Sequence, residues 1–115
     1  MDRETKAARM TDVLAGFIGF LGKVLPDDIR AKLQELAAKE TEPRAKLIYE
    51  TMMENQRLAR ELNRPSCQDT GVIQFFAKVG TNFPLIDDLE DIFRNAVLKA
   101  TKEAPLRHNA VETFE

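Results

Sequence analysis

Cysteine is nearly absent from this 115-residue chain: there is one, Cys67, and therefore no disulfide can form within it. That scarcity fits a reducing compartment. A charge excess is also missing. Seventeen Lys and Arg stand against 19 Asp and Glu, a formal net charge of −2. A general nucleic-acid binder would carry a basic surplus, so that class is excluded. No apolar run is long enough to span a bilayer: the best one, beginning at Val13, is interrupted by Gly16, Gly19, Gly22 and Lys23. It lacks both the small-residue cleavage site of a secretory signal and the lysine-rich polar face of a membrane-surface helix. The expectation is a cytoplasmic, soluble protein with no nucleic-acid or membrane partner. Internal repeats and low-complexity tracts are absent too.

What is present is a 43% apolar composition, sufficient for the core of a single domain over residues 1–115. Residues 1–62 read as a helical lead-in. Val13, Leu14, Phe17, Ile18, Leu21, Val24 and Leu25 recur at helical spacing. The three glycines on that segment weaken it and would form a small stripe open to close backbone approach. Pro26, Asp27 and Asp28 suit the first turn of a second helix, in which Ile29, Leu33, Leu36 and Ala37 form a narrow stripe. A third helix is expected from about residue 43 to 62, with Thr41 as its N-cap and Ala45, Ile48, Met52, Ala59 and Leu62 on one face. Asn63 suits a left-handed helix terminus, and Pro65 stops further helix.

Residues 63–115 read as a site loop, a strand, a further helix and the start of another element. Between Pro65 and Gly71 the loop places a thiol, an amide, a carboxylate and a hydroxyl on consecutive residues, Cys67, Gln68, Asp69 and Thr70. A loop held by rigid elements on both sides is where sites are usually built. Val72 to Val79 is β-branched and aromatic, which predicts a strand, and its imperfect alternation predicts cover on both faces. Gly80 to Pro84 is a turn. Asp87 with Glu90 three residues on forms a capping-box pattern before the helix of about residues 88–102, whose Leu89, Ile92, Phe93, Ala96, Val97 and Ala100 define its apolar face. The fold class expected is therefore α-rich α+β: three helices, one strand after the Cys67 loop, then a further helix.

From the residues alone the loop remains a candidate site. A nucleophilic Cys67 needs a histidine partner, and the one histidine, His108, lies far along the chain with nothing to bring the two together. Cys67, His108 and a carboxylate have no recognisable zinc spacing.

The stretch Arg64-Pro65-Ser66-Cys67-Gln68-Asp69-Thr70-Gly71, followed by Phe76-Ala77-Lys78-Val79-Gly80 and later by Ala104-Pro105-Leu106-Arg107-His108-Asn109, resembles the class I fumarase and L-tartrate dehydratase family of iron–sulfur hydro-lyases. The likeness is to the N-terminal part of the α subunit and spans essentially the whole chain. The Leu-Arg-His-Asn stretch and the lead-in lean towards tartrate dehydratase over fumarase. The resemblance implies a [4Fe–4S] cluster held by three cysteine thiolates, with one iron open as a Lewis acid in removing water from a hydroxy-dicarboxylic acid. It implies Cys67 as a cluster ligand, Gln68 and Asp69 facing substrate, Asp69 assisting the leaving hydroxyl as a catalytic residue, and Arg107 clamping a substrate carboxylate. His108 would be a second substrate contact; Thr70 and Gly71 would shape the loop. A β subunit would complete the active site.

One thiolate cannot hold a cluster that normally takes several. The further cysteines belong beyond this stretch in the family, so the resemblance implies a piece of an enzyme, inactive alone. An uncovered strand would make it a homo-oligomer, with Phe75, Phe76 and Phe114 near the contact. The competing reading is a non-catalytic helical interaction module.

Overall fold

The computed structural model describes residues 1–67 and 72–106. Four α-helices occupy most of them: α1, Arg3–Lys23; α2, Asp27–Lys39; α3, Pro43–Glu61; and α4, Leu89–Glu103, entered through a 3-10 turn at Ile86–Asp88. The chain divides into two compact units, one of Met1–Phe20 with the residues from 69 onward, the other of Leu21–Gln68.

The first unit is built on α1 and α4. Helix α1 begins well before its apolar pattern because Asp2 caps it: the Asp2 Oδ1 accepts the Thr5 N–H at 2.7 Å. The bonds from Thr5 hold the Asp2 carboxyl below the usual carboxylate range. Ala15 and Ile18 of α1 pack with Ala96 and Ala100 of α4, and Leu14, Val97 and Leu106 border them. Three of the four central residues are alanines, so the helices approach closely and Ala96 is completely buried. Two ion pairs flank this seam, Lys99 Nζ to Asp12 Oδ1 at 2.6 Å and Arg3 Nε to Asp88 Oδ2 at 2.6 Å. Both are exposed, where water and salt screen them, so they add little to the seam.

Only part of the glycine stripe meets anything. A Cβ on Gly19 would touch the Ala104 side chain at an ordinary 3.8 Å, and a Cβ on Gly16 would meet nothing within 4 Å. Gly16→Ala and Gly19→Ala should therefore each stabilise α1 by up to about 1 kcal/mol, the helix-propensity gap between the two residues. Urea denaturation of the two variants checks this; a loss of stability at Gly16 would mean that something approaches the helix there.

The expected strand is not formed, and the α+β class is corrected: every regular element among the described residues is helical. Residues 72–80 run without a paired neighbour, and all are exposed, Val72 by 74% and Phe76 by 93%. A strand exists by its ladder, and β propensity only records how side chains suit a pleated, half-covered surface. No second strand lies among the described residues to provide either. The segment meets α4 through Phe75, whose ring stacks on Phe93, centroids 4.5 Å apart and planes 2° from parallel. The turn that follows is as read, with the Phe83 N–H donating to Gly80 O at 3.1 Å.

The second unit packs α2 against α3, with Leu33 and Met53 lining a small cleft together with the stems of Arg30 and Arg60. Helix α2 buries no residue fully, and α3 buries only Ala59. Ile48 and Leu62, expected on the packed face, are 60% and 59% exposed. Local pairs reinforce both helices. Lys32 and Lys39 flank Glu35, and Arg57 is gripped by Glu54 and Glu61, which raises its already high pKa further. At three- and four-residue spacing on exposed faces, such pairs support their own helices only modestly.

Two caps differ from expectation. Glu42, not Thr41, caps α3, its carboxylate accepting the Ala45 N–H at 2.8 Å, with Pro43 in the first helical turn. Asp88 precedes α4 and makes no side-chain cap bond; its carboxylate is taken by Arg3, so the Asp87–Glu90 capping box does not form.

Candidate functional site

The loop that carries Cys67 leaves α3 through a tightly specified terminus. Asn63 adopts φ 53°, the left-handed conformation for which its short amide is suited. The Arg64 N–H reaches back to Ala59 O at 2.9 Å and the Asn63 N–H to Arg60 O at 3.3 Å. This paired closure is a Schellman motif, and it satisfies carbonyls that the last turn would otherwise leave orphaned. Pro65 then prevents any return to helix.

Beyond the turn, the backbone is tied within its own unit to the last turn of α1 and to α3. The Ser66 N–H donates to Gly22 O at 2.8 Å, and the Ser66 hydroxyl donates to the same oxygen at 3.2 Å. Gly22 lies in the last turn of α1, where carbonyls lack intrahelical partners. Lys23 Nζ donates to Asn63 Oδ1 at 3.1 Å. Finally the Cys67 N–H donates to Asn55 Oδ1, on α3, at 2.8 Å. Cys67 is itself a free, exposed thiol. The result is a thiol open to its surroundings on a main chain fixed up to that residue.

Gln68, Asp69, Arg107 and His108, together with Thr70, Gly71 and Phe114, lie outside the described residues. Of the anticipated site residues the structure thus places Cys67. It also identifies anchors that the sequence reading passed over: Gly22, Lys23, Asn55 and Ser66. One signal was available, since asparagine disfavours helix interiors and Asn55 sits in the middle of α3.

No group of three or more His, Cys, Asp or Glu side chains among the described residues could hold a metal ion. Cys67 suits an iron–sulfur cluster in donor type and exposure, but as one ligand of several. The described residues do not form a complete ligand set, and no chemical step can be routed through one.

The fumarate hydratase (Fumerase) family model matches residues 11–115. The chain belongs to this family. It is 46% identical over 114 residues to the L(+)-tartrate dehydratase subunit alpha of Escherichia coli K12, covering 99% of this chain and 38% of that protein. It is 35% identical over 106 residues to the putative L(+)-tartrate dehydratase subunit alpha of Methanocaldococcus jannaschii, covering 90% of this chain and 37% of that one. The chain therefore spans little more than a third of the length of the curated relatives it matches. No solved structure matches it at a significant level. Within this family chain, none of the described helices is long and apolar enough to cross a membrane.

Proposed function

We propose that residues 1–115 are the N-terminal region of the α subunit of a cytoplasmic hydro-lyase that removes water from a hydroxy-dicarboxylic acid, of the tartrate dehydratase type. The observation that supports this most is the 46% identity to a tartrate dehydratase α subunit over nearly the whole chain, which includes the Cys67 loop. The anchored, exposed Cys67 agrees with it: a thiolate that must join a group assembled with other ligands needs an open side chain on a fixed backbone. In this reading Cys67 contributes one thiolate to a [4Fe–4S] cluster. Gln68 and Asp69 face the substrate, Asp69 hydrogen-bonding the departing hydroxyl and handling its proton. Arg107 clamps a carboxylate, and His108 supplies a second contact. A β subunit completes the site; the relatives' designation as subunit alpha supports such a partner.

The test is anaerobic reconstitution with iron and sulfide. The full-length subunit with its partner should load a cluster and dehydrate tartrate or malate. The 115-residue chain alone should hold no stable cluster. About four irons on a monomeric chain would contradict the single-ligand role of Cys67. A full-length complex that loads no cluster and dehydrates neither acid would overturn the reading.

Homo-oligomerisation belongs to the same proposal, on altered grounds. The backbone of residues 72–80 is exposed and need not seek a ladder, but Val72 and Phe76 leave large apolar surfaces in water. Light scattering at micromolar concentration should show the 115-residue chain self-associating, and Phe76→Ser should weaken that association. A clean monomer would count against it.

A further inference from the structure

We infer that Asn55 is a positioning residue for Cys67: its side-chain oxygen, presented from α3, holds the peptide N–H of the residue that carries the thiol. The inference rests on the reading of Cys67 as a cluster ligand and goes beyond it by assigning a role outside the loop. A peptide N–H can only donate, so the amide oxygen of Asn55, not its nitrogen, must face Cys67, and the contact at 2.8 Å is a full hydrogen bond.

The geometry makes this bond different from the other ties. The Schellman closure fixes Asn63 and Arg64, and the two hydrogen bonds that Ser66 donates to Gly22 O fix Ser66. Both act before the cysteine. Asn55 is the tie on Cys67 itself, and it comes from a helix that reaches the loop across 12 residues of sequence. With the N–H held, the orientation of the Cα–Cβ bond, and hence the arc open to the sulfur, is restricted before any ligand arrives. Ordering that would otherwise oppose ligation is then already in place. The bond also commits the Cys67 N–H to Asn55. An uncommitted N–H near a ligating sulfur can donate to it, and hydrogen bonds to sulfur tune a cluster's electronic properties. Asn55 lies half-buried, so a substitution there removes the acceptor without opening the core.

The experiment uses the full-length subunit with its partner, loaded anaerobically with iron and sulfide. Asn55→Leu removes the acceptor; Asn55→Asp keeps an acceptor oxygen at the same reach. Met52→Ala, on the same helix, reports on general weakening of α3. Two quantities are read: the rate of iron loss to a chelator and the electron paramagnetic resonance spectrum of the reduced cluster. Asn55→Leu should lose iron roughly fivefold to tenfold faster and shift the spectrum, the scale expected for one lost hydrogen bond at a ligand's backbone. Asn55→Asp should restore wild-type behaviour on both counts, and Met52→Ala should alter neither even if it lowers the melting temperature. Iron retention and spectrum unchanged in Asn55→Leu, or an Asn55→Asp variant as defective as Asn55→Leu, would overturn the inference while leaving the role of Cys67 intact. A wild-type complex that forms no cluster would overturn the ligand reading and the inference with it.

Discussion

Asp69→Asn in the full-length subunit, assembled with its partner, should lower kcat by about a hundredfold to ten-thousandfold and leave KM nearly unchanged, the usual weight of a positioned proton-transfer group. The asparagine keeps the shape and can still hydrogen-bond the substrate, but it cannot take or return a proton. A group needed only as the C–O bond breaks affects the transition state and not the bound ground state. On the proposed role of Arg107, Arg107→Lys should give the complementary result. A carboxylate clamp acts before chemistry as well as during it, and lysine replaces the planar two-point fork with a single point charge. KM should rise by an order of magnitude, with a smaller change in kcat. Steady-state kinetics on the proposed hydroxy-dicarboxylate substrate separates the two. The reverse pattern would reassign both residues while leaving family membership untouched.

The second large effect is on stability. Ala96 has no exposed surface and packs with Ala15, Ile18 and Ala100, where α1 and α4 meet. Ala96→Leu would add three carbons where neighbouring backbones leave no room, and overpacking of this kind costs about 1–3 kcal/mol. Leu98→Ala, two residues on along α4 and 56% exposed on its opposite face, should change stability by less than about 0.5 kcal/mol although it removes the same three carbons that Ala96→Leu adds. Urea denaturation of both variants, with unchanged m-values, checks the contrast. A neutral Ala96→Leu would mean that the two helices are farther apart than their side chains indicate.

The cap at Asp88 shows how a local pattern loses to a longer-range one. Asp87 and Glu90 have the spacing of a capping box, and in isolation the box would close. Arg3, 85 residues away in sequence, reaches Asp88 at 2.6 Å and also lies near Asp87, and charge attraction takes the carboxylates from the helix end. Asn55 makes the same point for the site. Its presence in mid-helix is visible in the sequence, but its partner at Cys67 is set by where α3 and the loop meet.

Helices were legible in the sequence wherever their causes are local. Proline at residues 26, 43 and 65, the 3.6-residue apolar period of α4, and an asparagine fit for positive φ at residue 63 each act within one turn of chain. The chemistry of the loop was legible for the same reason, since a thiol, an amide and a carboxylate in succession are properties of residues and need no fold. Tertiary structure decided the rest. Whether Val72 to Val79 becomes a strand depends on a partner that its own residues cannot supply; among the described residues no second strand is offered, and Phe75 stacks on a helix instead. Which alanines form the core depends on two helices meeting from opposite ends of the chain, and how firmly Cys67 is held depends on Gly22 and Asn55, brought to it by the folding of α1 and α3. Pairing, burial and anchoring are relations between distant segments, and a short stretch of sequence carries only one side of each.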